Sequence, residues 1–484
     1  MAKSQNDQND QQNCINLNVP SPEEVRNILF SNSNSKPPVF SDNWSATALL
    51  TPFGGLDAQS PLSSSDELVV ARIYYNAVRP DHRYLRVRLY LLESLLYYDF
   101  LFETNNNQTS WFWLVSDPKD PRPNQVKKAF GPYPTTVQVP TTTFLHDKGF
   151  SYIGTWKVVN RRCHGYCAAG PQNTPGTWFS FLRKSNKLSR IMNVNNTNDF
   201  NIPVLGAYYL VNFLTIKKTN KKTKWKRIKC KPTSGNAPSP MVNPQDILTA
   251  MANPPKGASQ VRCRPKNIAA VIPGLHFPKS QPKAPVWTNQ VHSICYMMGQ
   301  DAYPYHCQLY YDYTVNKAQV TVFVSQQKPG NYDTRTDLLL PRGRRGPEFS
   351  YEWNKLKSQW QASCHIPDAG AVAMPVPNFV QAGNGRCRAV INNPYFGSRK
   401  VTIWSVELTS PRRANFWFWF NDQQQGIVFS VAPATSLTMI DYQTFVQNPS
   451  FSPSTFNDLT PSLPECKLSK AEIQKLLFTL EGSF

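Results

Sequence analysis

Alternation with a period of two constrains this chain more than any other feature. In YLRVRLYL, Leu85, Val87, Leu89 and Leu91 alternate with Arg86, Arg88 and Tyr90, which places the aliphatic side chains together on one side of an extended strand. Similar runs follow at SWFWLV (from 110), GTWFSFL (from 176), GAYYLVNFLTI (from 206), QLYYDYTV (from 308), KAQVTVFV (from 317), KVTIWSVEL (from 400), NFWFWF (from 415) and GIVFSVA (from 426). All are rich in the aromatic and β-branched residues that suit a pleated, half-buried surface. Forty-one prolines against 22 glycines argue against long helices. The class expected is all-β. An aromatic strand followed by an acidic turn occurs in both halves, as SWFWLVSDP and NFWFWFNDQ, so two tandem antiparallel sandwiches of diverged sequence are the economical reading.

The segments between and around these strands set the expected organisation. Nine of the first eighteen residues are Asn or Gln, so residues 1–62 read as a disordered polar arm. SPEEVRNILF interrupts it with one short helix, capped by Ser21 and Glu24. A first β-sandwich is expected over 63–216. Residues 217–285 hold eleven prolines and only short apolar runs, the composition of an extended connector, with NPQDILTAM as a short helix inside it. A second β-sandwich follows over 286–448. In the C-terminal extension, 449–484, Ile473, Leu476, Leu477 and Leu480 share one face of an amphipathic helix. No apolar stretch is long enough for a spanning helix, so no membrane insertion is expected.

The formal charge of +21 points to a polyanionic partner, and its distribution is uneven. From Phe200 to Gln300 there are fifteen Lys or Arg and one acid, Asp246. Nine of those cations fall in KKTNKKTKWKRIKCK: Lys217, Lys218, Lys221, Lys222, Lys224, Lys226, Arg227, Lys229 and Lys231, with Trp225 among them. A run of like charge repels itself, and an aromatic inside a cationic run suits sequence-tolerant binding of single-stranded nucleic acid. These ten residues are the candidate RNA-binding site; a solvated linker and a nuclear-import signal use the same residue types.

Catalytic patterns are not evident. The sequence has no G-x-S-x-G elbow, P-loop, H-E-x-x-H or dinucleotide fingerprint, so neither an enzyme nor a cofactor is expected. Cys163, His164 and Cys167 have metal-like spacing, but a closed zinc site needs four ligands. His306 with Cys307, and Cys364 with His365, sit at adjacent positions that point to opposite faces of a strand. Ten cysteines are too sparse for a disulfide scaffold, and the N-terminus lacks an apolar signal segment, so free thiols in a reducing compartment are expected. Trp111, Trp113, Trp417 and Trp419 alternate along two strands; they read as core, with a base- or sugar-stacking platform as the alternative.

HCQLYYDYTVNKAQVTVFVSQQ, then AVAMPVPNFVQAGNGRCRAVINN, then KVTIWSVEL together resemble the jelly-roll capsid domain of picorna-like positive-strand RNA viruses. Val376, Pro377, Asn378 and Phe379 stand where that family has a strand end before the closing strands. The resemblance implies a two-jelly-roll coat subunit, similar in plan to the large coat protein of comoviruses, to which the sequence adds the short terminal helices. It further implies self-assembly into a shell around genomic single-stranded RNA. Partners would be viral RNA, copies of the chain and, in some arrangements, a smaller capsid protein; the location would be the virion, and the host cytoplasm during assembly. The rival reading is a non-enzymatic RNA-binding regulatory protein with β-sandwich domains. A carbohydrate- or receptor-binding protein is a third, drawing on the glycosylation sequons at Asn43, Asn107 and Asn195.

Overall fold

A computed structural model describes residues 36–52, 68–120, 125–136, 138–167, 177–193, 206–215, 250–258, 261–298, 305–315, 317–324, 334–341, 348–354, 359–365, 376–396, 400–408, 414–432 and 439–451. The N-terminal half opens with β1 (Asn43–Pro52), β2 (Val69–Arg79), β3 (His82–Leu91), β4 (Leu96–Asn105), β5 (Gln108–Val115) and β6 (Lys128–Pro134). A one-turn helix, α1 (Phe144–Asp147), precedes β7 (Ser151–Val158), β8 (Arg161–Cys167), β9 (Thr177–Leu182), β10 (Leu188–Asn193) and β11 (Gly206–Thr215). Between the halves lie β12 (Val261–Arg262), α2 (Pro265–Ala269) and β13 (Leu275–His276). The second half runs through β14 (Gln290–Met298), β15 (Tyr305–Asp312), β16 (Lys317–Val324), β17 (Thr334–Pro341), β18 (Glu348–Asn354) and β19 (Gln359–His365). After α3 (Phe379–Ala382) come β20 (Arg386–Asn392), β21 (Lys400–Leu408), β22 (Ala414–Phe420), β23 (Gly426–Ala432) and β24 (Met439–Gln447).

Each half is one antiparallel sheet, and the two sheets share a single plan. The first has the order β6-β5-β4-β3-β2-β1-β11-β10-β9-β8-β7, and the second, read from its far edge, β19-β18-β17-β16-β15-β14-β24-β23-β22-β21-β20. In both, a six-strand meander is followed by a link carrying a one-turn helix. A five-strand meander then returns until its last strand pairs with the first, β11 with β1 and β24 with β14. The links match in detail: Phe144 and Leu145 of α1 correspond to Phe379 and Val380 of α3, and Leu145 and Val380 are fully buried. The two extra strands attach outside this plan, β12 on β4 and β13 on β20.

Alternation fixes which face does what. Trp44, Ala46, Ala48 and Leu50 of β1, Val69, Ala71, Ile73 and Tyr75 of β2, and Leu85, Val87, Leu89 and Leu91 of β3 form one core with α1 and with Ala250 and Met251. The opposite face of β1 and β7–β11 packs on the second sheet. Leu49, Trp156, Cys163, Trp178, Tyr209 and Val211 share a core with Tyr296, Ile391, Ile403, Trp417, Trp419 and Met439. Trp156 stacks on Tyr296 at 4.6 Å with planes 11° apart, and Tyr209 meets Trp419 at 4.6 Å. The outer face of the second sheet buries Trp404, Val406 and Phe420 under Val380 and Trp287.

Expected strands are all present, but their assembly differs from two jelly rolls. A jelly roll is two Greek keys folded into two sheets, whereas here consecutive strands pair as meanders and the sandwich is made between the halves. Val376–Phe379 leads into α3, with Asn378 at its N-cap position, rather than ending a strand. The aromatic strands that suggested a repeat are the fifth strand of the first sheet (β5) and the ninth strand of the second half's plan (β22), so they are not equivalent. β1 lies inside the segment expected as a disordered arm and is central to its sheet. The connector from Ala250 onward is built into the core, where Met251, Ile268, Ile272 and Leu275 are buried. The expected terminal helices at 21–30 and 468–482 lie outside the described residues.

The polar side of β3 also departs from expectation, because Arg86 and Arg88 are fully buried. Arg86 grips Asp99 of β4 through Nε at 2.8 Å and through Nη2, while Arg88 donates to the carbonyl of Asp120 on the β5–β6 connection. Burial alone would raise the Asp99 carboxyl, but Arg86 and Arg88 hold it below its usual range. On the face that packs against the second sheet, a Cβ at Gly165 of β8 would overlap the indole of Trp156 on the neighbouring strand β7. Gly165→Ala is therefore expected to push Trp156 off Tyr296 and cost about 1–3 kcal/mol. A urea midpoint equal to that of the unsubstituted protein would contradict this packing.

Candidate binding cleft between the two sheets

The structure separates the side chains that the sequence grouped. The ten candidate residues from Lys217 to Lys231 lie outside the described residues. Trp111 and Trp113 are buried in the first core, and Trp417 and Trp419 between the sheets, so none forms an exposed stacking platform. Cys163 and Cys167 enter the intersheet core, while His164 points away and pairs Nδ1 with Thr155 Oγ1 at 3.0 Å. Among the described residues, no group of three potential metal ligands comes together. Of the sequon asparagines, Asn43 is buried in β1, Asn107 is exposed in the β4–β5 turn, and Asn195 lies outside the described residues.

What the fold does bring together is a cleft of about 410 Å³ at the seam of the two halves. One wall comes from adjacent strand ends of the first sheet: Arg161 of β8, Leu182 of β9, Lys187 and Leu188 at β10, and Leu210, Asn212 and Phe213 of β11. The other wall is Pro273, Asn393, Pro394 and Tyr395 of the second half. These strand ends converge because β7–β11 are successive hairpins, so the β7–β8 and β9–β10 turns and the C-terminal end of β11 fall on one sheet margin.

Tyr395 anchors the far wall. Its hydroxyl donates to the carbonyl of Ser189 at 2.7 Å and lies 2.8 Å from Ser189 Oγ. Its backbone N–H donates to Asn393 Oδ1 at 2.9 Å, and Asn393 Nδ2 donates to the Pro273 carbonyl at 2.8 Å. Burial pushes the Tyr395 hydroxyl well above its usual range, so it stays a neutral donor. The Arg161 guanidinium sits over the Tyr395 ring at 5.1 Å, an arrangement that orders a cation without neutralising it. Lys187 supplies a second cation, and the lining contains no acidic side chain.

A sequence signal for this site exists outside the lysine-rich run. From Lys148 to Asn198 the chain has eight Lys or Arg (Lys148, Lys157, Arg161, Arg162, Arg183, Lys184, Lys187 and Arg190) and no Asp or Glu. One of them leaves the surface: Arg190 is fully buried between the sheets and holds both oxygens of Asp441 on β24, at 2.8 and 2.7 Å. Lys157 and Gln443 exchange backbone and side-chain hydrogen bonds nearby, including Lys157 N–H to Gln443 Oε1 at 2.6 Å. Arg161, Arg162, Arg183, Lys184 and Lys187, at the β7–β8 and β9–β10 turns, stay on the margin beside the cleft.

No family model matches this sequence, and no curated protein sequence resembles it. Several solved structures show low similarity to this chain. A DUF1329 family protein from Desulfovibrio piger has a TM-score of 0.21 at 9% identity, covering 35% of this chain and 90% of its own. A domain described as an outer membrane lipoprotein-sorting protein from Vibrio parahaemolyticus has a TM-score of 0.21 at 8% identity, with the same coverages of 35% and 90%. The MucA/MucB complex structure from Pseudomonas aeruginosa has a TM-score of 0.20 at 10% identity, covering 68% of this chain and 90% of that one. Likenesses this low carry no argument about what this chain does.

The capsid expectation is nonetheless corrected. The strand order is not the jelly roll on which the resemblance rested. Shell assembly, a viral RNA partner, a smaller coat-protein partner and a virion location fall with it, as does the RNA-binding regulator built on the same sandwiches.

The seam gives a direct test. Burial raises the Asp441 carboxyl to about 6 even with Arg190 beside it, against an ordinary value of 3.8. The native state thus holds this proton more tightly than the unfolded chain, and that contribution to stability, full below the ordinary value, is lost as the pH rises through about 6. Arg190→Met leaves the carboxylate buried without its cation and raises it further. The variant is expected to lose about 3–5 kcal/mol at pH 8 and to recover part of this by pH 5, where Asp441 is protonated in both proteins. Urea melts across that range check it; a pH-independent deficit would show that Asp441 ionisation is not involved.

Proposed function

We propose that this protein is a non-enzymatic binding protein that holds an anionic small molecule with an apolar body in the cleft between its sheets. The observation that carries this reading is a lining with two cations, Arg161 and Lys187, no acid, and aliphatic and aromatic walls from Leu182, Leu188, Leu210, Phe213 and Pro394. The volume, about 410 Å³, lies in the range of small-ligand sites, roughly 300–1,000 Å³. Asn393 and Tyr395 are already hydrogen-bonded within the wall, which pre-forms the site and reduces the ordering cost of binding. The lining contains no Cys, His, Ser, Asp or Glu to serve as nucleophile or general base, which supports a binding role over a catalytic one.

Anilinonaphthalene sulfonate is a suitable probe, having an aromatic body and one fixed negative charge. It is expected to bind with increased fluorescence and to weaken as salt is raised, while phenylnaphthylamine, which lacks the sulfonate, binds far less. Arg161→Gln and Lys187→Gln should each weaken the sulfonate about tenfold, the effect of losing one charge-assisted contact, without changing thermal melting. Equal affinity for the charged and neutral probes, or wild-type affinity in both variants, would refute the assignment.

A further inference from the structure

A second feature, independent of the cleft, lies in the middle of the second sheet. Cys295 of β14 and Cys307 of β15 are register partners in an antiparallel pair. Directly opposed residues place their side chains on the same face with Cα atoms about 4.5–5.5 Å apart, inside the roughly 4.4–6.8 Å that a disulfide spans. Both thiols are reduced here, both are 2% exposed, and they pack together under Leu309, Ile440 and Tyr442. The thiols hydrogen-bond to each other, and this contact together with burial keeps Cys307 well above its usual range. Ser293 Oγ, which donates to the Thr444 carbonyl, lies 3.4 Å from Cys295 Sγ on the same face of β14.

Among the cysteines whose side chains are described, no other two are register partners. Cys163 and Cys167 share one strand, about 13 Å apart at 3.3 Å per residue, too far to be bridged. Cys263 packs by Leu96 and Cys387 by Ala389, each with its sulfur on a backbone carbonyl.

We propose that Cys295 and Cys307 form an oxidation-sensitive dithiol that closes to a cross-strand disulfide, locking β14 to β15, when the protein meets a small peroxide. The Cys295 sulfur attacks one oxygen of hydrogen peroxide, the O–O bond breaks, and the departing hydroxide takes the thiol proton as water, leaving a sulfenic acid. The Cys307 sulfur then attacks that sulfur, the S–O bond breaks, and hydroxide leaves with the second thiol proton as a second water. Two thiols are oxidised and one peroxide is reduced. A peroxide is close to water in size, which suits a pair enclosed by side chains.

The experiment exposes the folded, full-length protein to hydrogen peroxide, quenches it, then denatures and alkylates it for peptide mapping. The expected result is a peptide pair joined at Cys295 and Cys307, two hydrogens lighter than the reduced pair. A thermal midpoint raised by about 3 °C or more, for a short closed loop, and reversal of both by dithiothreitol should accompany it. Cys295→Ser and Cys307→Ser should each abolish the joined peptide and the shift; the mapping on the unsubstituted protein stands even where a variant folds poorly. Sulfinic acid at either position without a link, a link through other cysteines, or full retention of both thiols at peroxide levels that oxidise exposed thiols would each overturn the proposal.

Discussion

The Arg190–Asp441 pair is the interaction on which the arrangement of the two sheets depends. Both side chains are buried in an interface otherwise made of Trp156, Tyr209, Tyr296, Trp417 and Trp419. An aromatic interface tolerates sliding, because one ring can replace another at little cost. A buried guanidinium does not, since a shifted docking leaves it facing rings with its charge unmet, a penalty of several kcal/mol. We read the pair as the element that sets the register of the sandwich. The cleft inherits that register: Ser189, next to Arg190, holds Tyr395, and Tyr395 holds Arg161.

The shared strand plan explains why each sheet has two differently finished faces. One is roofed by its own half, by α1 in the first sheet and by α3 with Trp287 in the second. The other is shared with the opposite half. Over β3 and β4 that second face carries Arg86, Arg88 and Asp99 under the β5–β6 connection. A purely apolar face would have offered no register to that loop, whereas a buried fork from Arg86 to Asp99 fixes it.

Much of this was legible in the sequence, for a clear reason. Strands such as YLRVRLYL and KVTIWSVEL announce themselves through alternation, which reports local geometry. What escaped depends on contacts distant in sequence. β1 was concealed because WSATALL is short and lies beside a polar arm, so its burial comes from pairing with β11. Arg86 and Arg88 looked solvated because a period-two pattern cannot show that a loop will cover the polar face. Residues 250–285 looked like a connector because proline-rich composition does not exclude packing against a finished sheet. The cleft joins Arg161 to Tyr395, and no local pattern links them. The excess of cations between Lys148 and Asn198 is visible in the sequence, but it is sparser than the run at Lys217–Lys231 and has no pattern of its own.

The return of the last strand to the first in each half governs how this chain acquires its shape. Thr47 donates to the Val211 carbonyl across a sequence separation of 164 residues, and β24 must likewise come back to β14. A meander grows hairpin by hairpin with little loop to close, but its first strand keeps one unpaired edge until the closing strand arrives. On a ribosome, β1 therefore waits with an open edge while β2 to β10 are synthesised, and β14 repeats the delay. Contacts this distant in sequence slow folding, and the interval before each closure leaves an edge open to pairing with the wrong strand.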